Sequence, residues 1–92
     1  RTAQMVSEKM NELGRNHQII CITHLPQIAA MADAHFLIEK AVENKSTVSR
    51  IRRLTDNDSV AELARMLGGA KITDTVMESA REMKALAMEK KI

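Results

Sequence analysis

Gln18-Ile19-Ile20-Cys21-Ile22-Thr23-His24-Leu25-Pro26 is the stretch on which the fold turns. Four consecutive apolar residues, three of them β-branched, are too few for a core helix. They predict a strand over 18–23 buried on both faces, as in a parallel sheet. Proline suits the first turn of a helix, so a short helix is expected over 26–32. Upstream, Ala3, Val6, Met10 and Leu13 recur at helical spacing, with Glu8, Lys9 and Glu12 elsewhere. Gly14 then reads as a left-handed C-terminal stop. Helix, short turn and buried strand make half of a βαβ unit, and the fold class is α/β. The strand that would precede the helix is missing, and the chain opens at Arg1 within a helical pattern, which reads as a piece of a longer protein.

Downstream, 35–42 and 47–54 alternate as strands around Glu43-Asn44-Lys45, predicting an antiparallel hairpin with Phe36 and Ile38 on one face. Asp56-Asn57-Asp58 reads as a loop. Ser59 with Glu62 reads as a capping box for a helix carrying Val60, Leu63, Ala64 and Leu67, ended by Gly68-Gly69. A last helix is expected from Thr73, stapled by Ile72 and Met77, with Val76, Ala80, Met83 and Ala87 inward. The organisation is one domain over 1–92. It comprises helix, strand and histidine segment (1–34), hairpin (35–55) and two helices (56–92).

Composition bounds the function. The 92 residues suffice for one small domain, and a chain of this size buries only roughly 60% of its unfolded surface. Phe36 is the one aromatic, so seven Met and many Ala must fill the core. A net charge of +2 is too balanced to argue for nucleic acid by bulk charge. No apolar run approaches membrane-spanning length, and nothing resembles a signal peptide. Cys21 reads as a buried small hydrophobe in a reducing cytosol. His17, His24, His35 and Cys21 lack tight ligand spacing, so no metal site is expected.

His24 is the candidate of greatest interest. It follows the predicted strand and precedes a helix, and in open α/β sheets ligands bind beyond the carboxyl ends of strands. A histidine there can donate a hydrogen bond to a phosphate oxygen or hold a water. The alternative is a surface or capping histidine. Gln27 reads as a ligand contact or as a cap for its own helix, and Asp33 as an acceptor or a helix stop. Arg50 and Arg52 on one face of the hairpin and Arg53 on the other are candidates for DNA phosphates, with Lys40 and Lys45 nearby. Edge-strand charges that block unwanted pairing explain them equally, and no aromatic stands ready to stack on bases.

Thr23-His24, an interval with Ile28 and Ala29, then Ala32-Asp33 resembles the switch-histidine segment of ABC-type ATPases. His24-Leu25-Pro26-Gln27-Ile28-Ala29, with Glu62-Leu63-Ala64-Arg65-Met66-Leu67-Gly68-Gly69 and Ile72-Thr73, is similar to the C-terminal end of the RecN family, the bacterial SMC-like proteins of recombinational DNA repair. The likeness covers essentially residues 1–83. It implies a fragment of a P-loop ATPase head in which His24 is catalytic, with His24 and Gln27 near ATP and Mg. It also implies a second head as homodimeric partner, DNA contacted through the parent protein, and a bacterial cytoplasmic, nucleoid-associated location. The phosphate-binding loop, coiled coil, signature motif and acidic pair would lie in other segments. No Gly-x-x-x-x-Gly-Lys-Ser/Thr occurs here, and no adjacent acids follow an apolar strand, so the chain alone is expected to be inactive and to bind ATP very weakly. Its unpaired strand predicts self-association. Another SMC-type head, a transporter, or a small DNA-binding module built on the hairpin are the alternatives.

Overall fold

In the computed structural model, which describes residues 2–90, the elements run α1 (Thr2–Gly14), α2 (Pro26–Ala30), β1 (Phe36–Glu43), β2 (Ser46–Arg53), α3 (Asp56–Gly68) and α4 (Asp74–Lys90). Arg1, Lys91 and Ile92, which fall within the outer bounds expected for the domain, lie outside the described residues. The architecture is a group of helices with one two-stranded antiparallel sheet, β1–β2.

The core belongs to the helices. Ala29, Ala30 and Met31 at α2 meet Leu63 and Ala64 of α3 and Ala80 and Ala87 of α4, with Val60, Met66, Val76, Met77 and Met83 around them. Small side chains let the backbones approach closely, and the flexible methionines fill what remains. The inward face expected for α4 is the one observed. Its start is as expected too: Val76 N–H donates to Thr73 Oγ1 at 3.2 Å.

Five local expectations are corrected. The segment 18–23 forms no strand, and Ile20 and Ile22 are 85% and 86% exposed. A doubly buried strand needs hydrogen-bonding neighbours on both sides, and the one sheet among the described residues is the β1–β2 hairpin. Cys21, expected inside, is exposed for the same reason. In α1 the buried position is Ser7, whose Oγ turns back to donate to the Gln4 carbonyl at 2.8 Å, while Val6 and Leu13 face outward. Gly14 ends α1 without a left-handed φ, the chain continuing through turn bonds from Arg15 to Glu12 and from Asn16 to Leu13.

The fifth correction is the start of α3. Thr55, not Ser59, is the N-cap: its Oγ1 accepts from Asp58 N–H at 3.1 Å, and Asp56 and Asp58 complement the helix dipole in the first turn. The Asp56-Asn57-Asp58 stretch is therefore helix, not loop, and Ser59 is carried into the interior. At the far end Gly69, with φ 64°, donates its N–H to the Arg65 carbonyl and turns the chain towards α4.

The hairpin matches its expectation closely. Its register pairs Phe36 with Arg53 and Glu43 with Ser46, and the two-residue turn Asn44-Lys45 has φ of 48° and 67°. Positive φ at both turn residues suits the right-handed twist of the strands.

Candidate functional site

His24 lies at a bend in the irregular stretch between α1 and α2 and is exposed. Thr23 Oγ1 accepts from Leu25 N–H at 3.0 Å, closing a small turn that swings His24 outward just before Pro26 opens α2. The ring makes no hydrogen bond among the described residues. The position is thus a free imidazole at the entry to a helix, without the strand expected beneath it. Gln27, in the only complete turn of α2, is half-buried and faces a cleft between α1, α2 and α4 that Gln4, Ser79, Glu82 and Lys90 also line. His24 does not line that cleft, so the two residues are not brought to one pocket.

The hairpin arginines are divided as the alternation requires. Arg50 and Arg52 stand opposite Glu39 and Leu37, on the face away from Phe36, Ile38 and Arg53. Arg50 pairs with Glu43; Arg52 reaches Glu39 at 3.6 Å and Asp58 at 3.5 Å. Their charge is therefore met by carboxylates of the same surface. All these groups are about half-exposed, so each pair contributes only a few tenths of a kcal/mol. Charges so placed oppose further pairing at a sheet edge.

The stretch 62–69 has a packing explanation for nearly every residue. Leu63 and Ala64 are fully buried against α4, and Arg65 grips Glu62 with two nitrogens. That pairing holds the guanidinium above its already high ordinary pKa. A Cβ on Gly68 would come within 3.2 Å of Val76 Cγ1, so glycine here allows α3 and α4 to close up. Gly69 makes the turn. This motif builds the helix pair.

Gly68 and Gly69 are engaged in helix packing and termination rather than in a phosphate loop, and no group of three His, Cys, Asp or Glu among the described residues is placed to hold a metal ion. No helix among them is long and apolar enough to cross a membrane.

One polar cluster escaped the sequence reading. Ser59 Oγ, almost fully buried, lies 2.7 Å from His35 Nδ1 and accepts from Lys84 Nζ at 3.1 Å. Ser59 reads as a cap in the sequence, and its partners are 24 and 25 residues away, beyond any local pattern.

Comparison with known proteins gives a consistent set of relatives. The chain is 41% identical over 83 residues to the DNA repair protein RecN of Bacillus subtilis, covering 90% of this chain and 14% of that protein. It is 43% identical over 81 residues to the DNA repair protein RecN of Mycobacterium tuberculosis (88% and 14%) and 34% identical over 82 residues to that of Vibrio cholerae (89% and 15%). No family model matches. The chain spans about 14% of the length of the curated relatives it matches.

Proposed function

Since the chain is homologous to a segment of the RecN DNA repair proteins, we propose that it serves as the C-terminal part of a RecN-type ATPase head acting in repair of DNA double-strand breaks. The observation that carries this reading is the extent of the likeness: it runs through nearly the whole chain, including both the His24 junction and the α3–α4 pair.

Within that reading His24 is the catalytic contribution of this segment. An exposed imidazole without internal partners, held at a bend by the Thr23 turn, is available to a phosphate oxygen or a water brought by the rest of the head. The nucleotide and its magnesium are held mainly by other segments, since this chain carries no Gly-x-x-x-x-Gly-Lys-Ser/Thr stretch and no adjacent acids after an apolar strand. Gln27 is turned to the cleft between α1, α2 and α4. Arg50, Arg52 and Arg53 guard the sheet edge, and DNA reaches the protein elsewhere. The head works in the bacterial cytoplasm as a homodimer.

The segment 18–23 is a strand in waiting. Its β-branched residues lie in water here and would join a parallel sheet supplied by the remainder of the head. In the isolated chain the same residues favour self-association, so light scattering after size exclusion should give dimers or larger species; a clean monomer would contradict this.

The functional test uses the full-length parent carrying His24→Ala. Folding and DNA binding should persist while ATP turnover drops about 100-fold or more. Turnover equal to wild type would remove His24 from the mechanism.

A further inference from the structure

Three elements of the fold meet at one buried oxygen. Ser59 is 1% exposed, and its Oγ is shared by His35 Nδ1 at 2.7 Å and Lys84 Nζ at 3.1 Å. His35 stands immediately before β1, and its backbone carbonyl accepts from Leu54 N–H at 2.8 Å, which closes the open end of the hairpin. The cluster therefore fastens the base of the hairpin to both α3 and α4.

One arrangement of protons satisfies all three groups at once. A lysine ammonium only donates, so Lys84 takes up a lone pair of Ser59 Oγ. The hydroxyl has a single proton, and a bare His35 Nδ1 accepts it. Lys84 to Ser59 to His35 is then a complete chain, with the imidazole neutral and its own proton on Nε2. Protonation reverses the last link. Nδ1 becomes a donor aimed at an oxygen that already accepts from an ammonium, and the serine proton must find another acceptor. Two cations are then held to one oxygen in a partly buried setting, which favours neither.

The surrounding charges reinforce this. Burial first, and then the Lys84 ammonium from α4, hold His35 below its ordinary range, against an opposing pull from Glu62 on α3. On β2, Arg52 is turned to Glu39 and Asp58.

We propose that His35, Ser59 and Lys84 form a pH-dependent latch, which holds the base of the hairpin against α3 and α4 while His35 is neutral and releases it when His35 is protonated. The latch is independent of nucleotide chemistry and goes beyond the function proposed above. The sign follows from linkage. An imidazole in the unfolded chain titrates near 6.5 and takes up protons there more readily than the folded one. The latch is therefore at full strength above that pH and is lost as pH falls through the lower folded value.

The test follows the His35 ring by NMR in the 92-residue chain from about pH 7.5 to about pH 5, together with hydrogen exchange at the Leu54 amide. His35 should titrate below 6.5, and Leu54 should lose roughly three- to ten-fold more protection than Ala80 in α4 after correction for intrinsic exchange. His35→Asn keeps an acceptor near the Nδ1 position without titrating, and should abolish this pH dependence. Lys84→Met should raise the His35 midpoint. A midpoint at or above 6.5, or an equal loss of Leu54 protection in His35→Asn, would overturn the latch. If His35→Asn does not fold, the ring midpoints of wild type and Lys84→Met decide the matter alone.

Discussion

Two stretches of this chain bring apolar side chains to the fold and fare oppositely. In α3 and α4, Leu63, Ala64 and Ala80 are shut away from water. In 18–23, Ile20 and Ile22 stand in it. The difference is one of self-sufficiency. A helix satisfies its backbone internally and needs only one face covered, which a second helix supplies. A doubly buried strand needs partners along both edges and over both faces. The helix pair closes on itself among the described residues, and 18–23 has no strand beside it there.

The largest expected effect tests that contrast directly. Leu63→Ala should destabilise the chain by about 3 kcal/mol in urea denaturation, because the site is fully buried and tightly enclosed. Ile20→Ser should change stability by less than about 0.5 kcal/mol in the same assay, as befits an exposed residue. A comparable loss in both would show that 18–23 is packed after all.

A second prediction, read in the same denaturation assay, concerns how α3 begins. Thr55→Ala removes the N-cap of α3 and should cost about 1 kcal/mol. Glycines give a third contrast: Gly69→Ala forces a side chain into positive φ and should cost about 1 kcal/mol, whereas Gly14→Ala, in ordinary helical backbone, should be neutral or slightly stabilising. Thermal melts read both. If Gly14→Ala were the worse of the two, the assignment of their backbone roles would be wrong.

Smaller still is Lys45→Gly. Lys45 has φ 67° in the hairpin turn, so glycine should stabilise the hairpin by roughly 0.5 kcal/mol. The weakest effect is the tie between α1 and α4. Hydrogen bonds from Gln4 and Lys90 hold the Glu8 carboxyl below its ordinary 4.5, so its contribution is complete above that pH and fades as pH falls below it. Being exposed, it should also fade with added salt, and a Glu8→Gln melt that kept the wild-type acid and salt response would remove it.

What the sequence made legible follows the same division. The hairpin, its turn, the start of α2 at Pro26 and the inward face of α4 were readable because each rests on local chemistry: alternation, turn residues, a proline, a stripe. Thr55 and Ser59 are both plausible caps, and the choice between them was made by Asp56 and Asp58 in the first turn and by partners of Ser59 far along the chain. In α1 the periodicity of Val6 and Leu13 pointed to one face, yet Ser7 is the buried residue, its hydroxyl satisfied by the Gln4 carbonyl one turn back. The strand expected over 18–23 depended on neighbours that no local pattern contains. For the candidate site, the place of His24 before α2 was legible, whereas the loop beneath it and the His35–Ser59–Lys84 cluster were not.

Amide hydrogen exchange at Ile19 to Ile22, measured in this chain and in the full-length parent, addresses the central claim most directly. The account predicts rapid, unprotected exchange in a monomeric preparation of the chain and slowing by a factor of about 100 or more in the parent, where a sheet can receive the segment. Equally rapid exchange in both would contradict it.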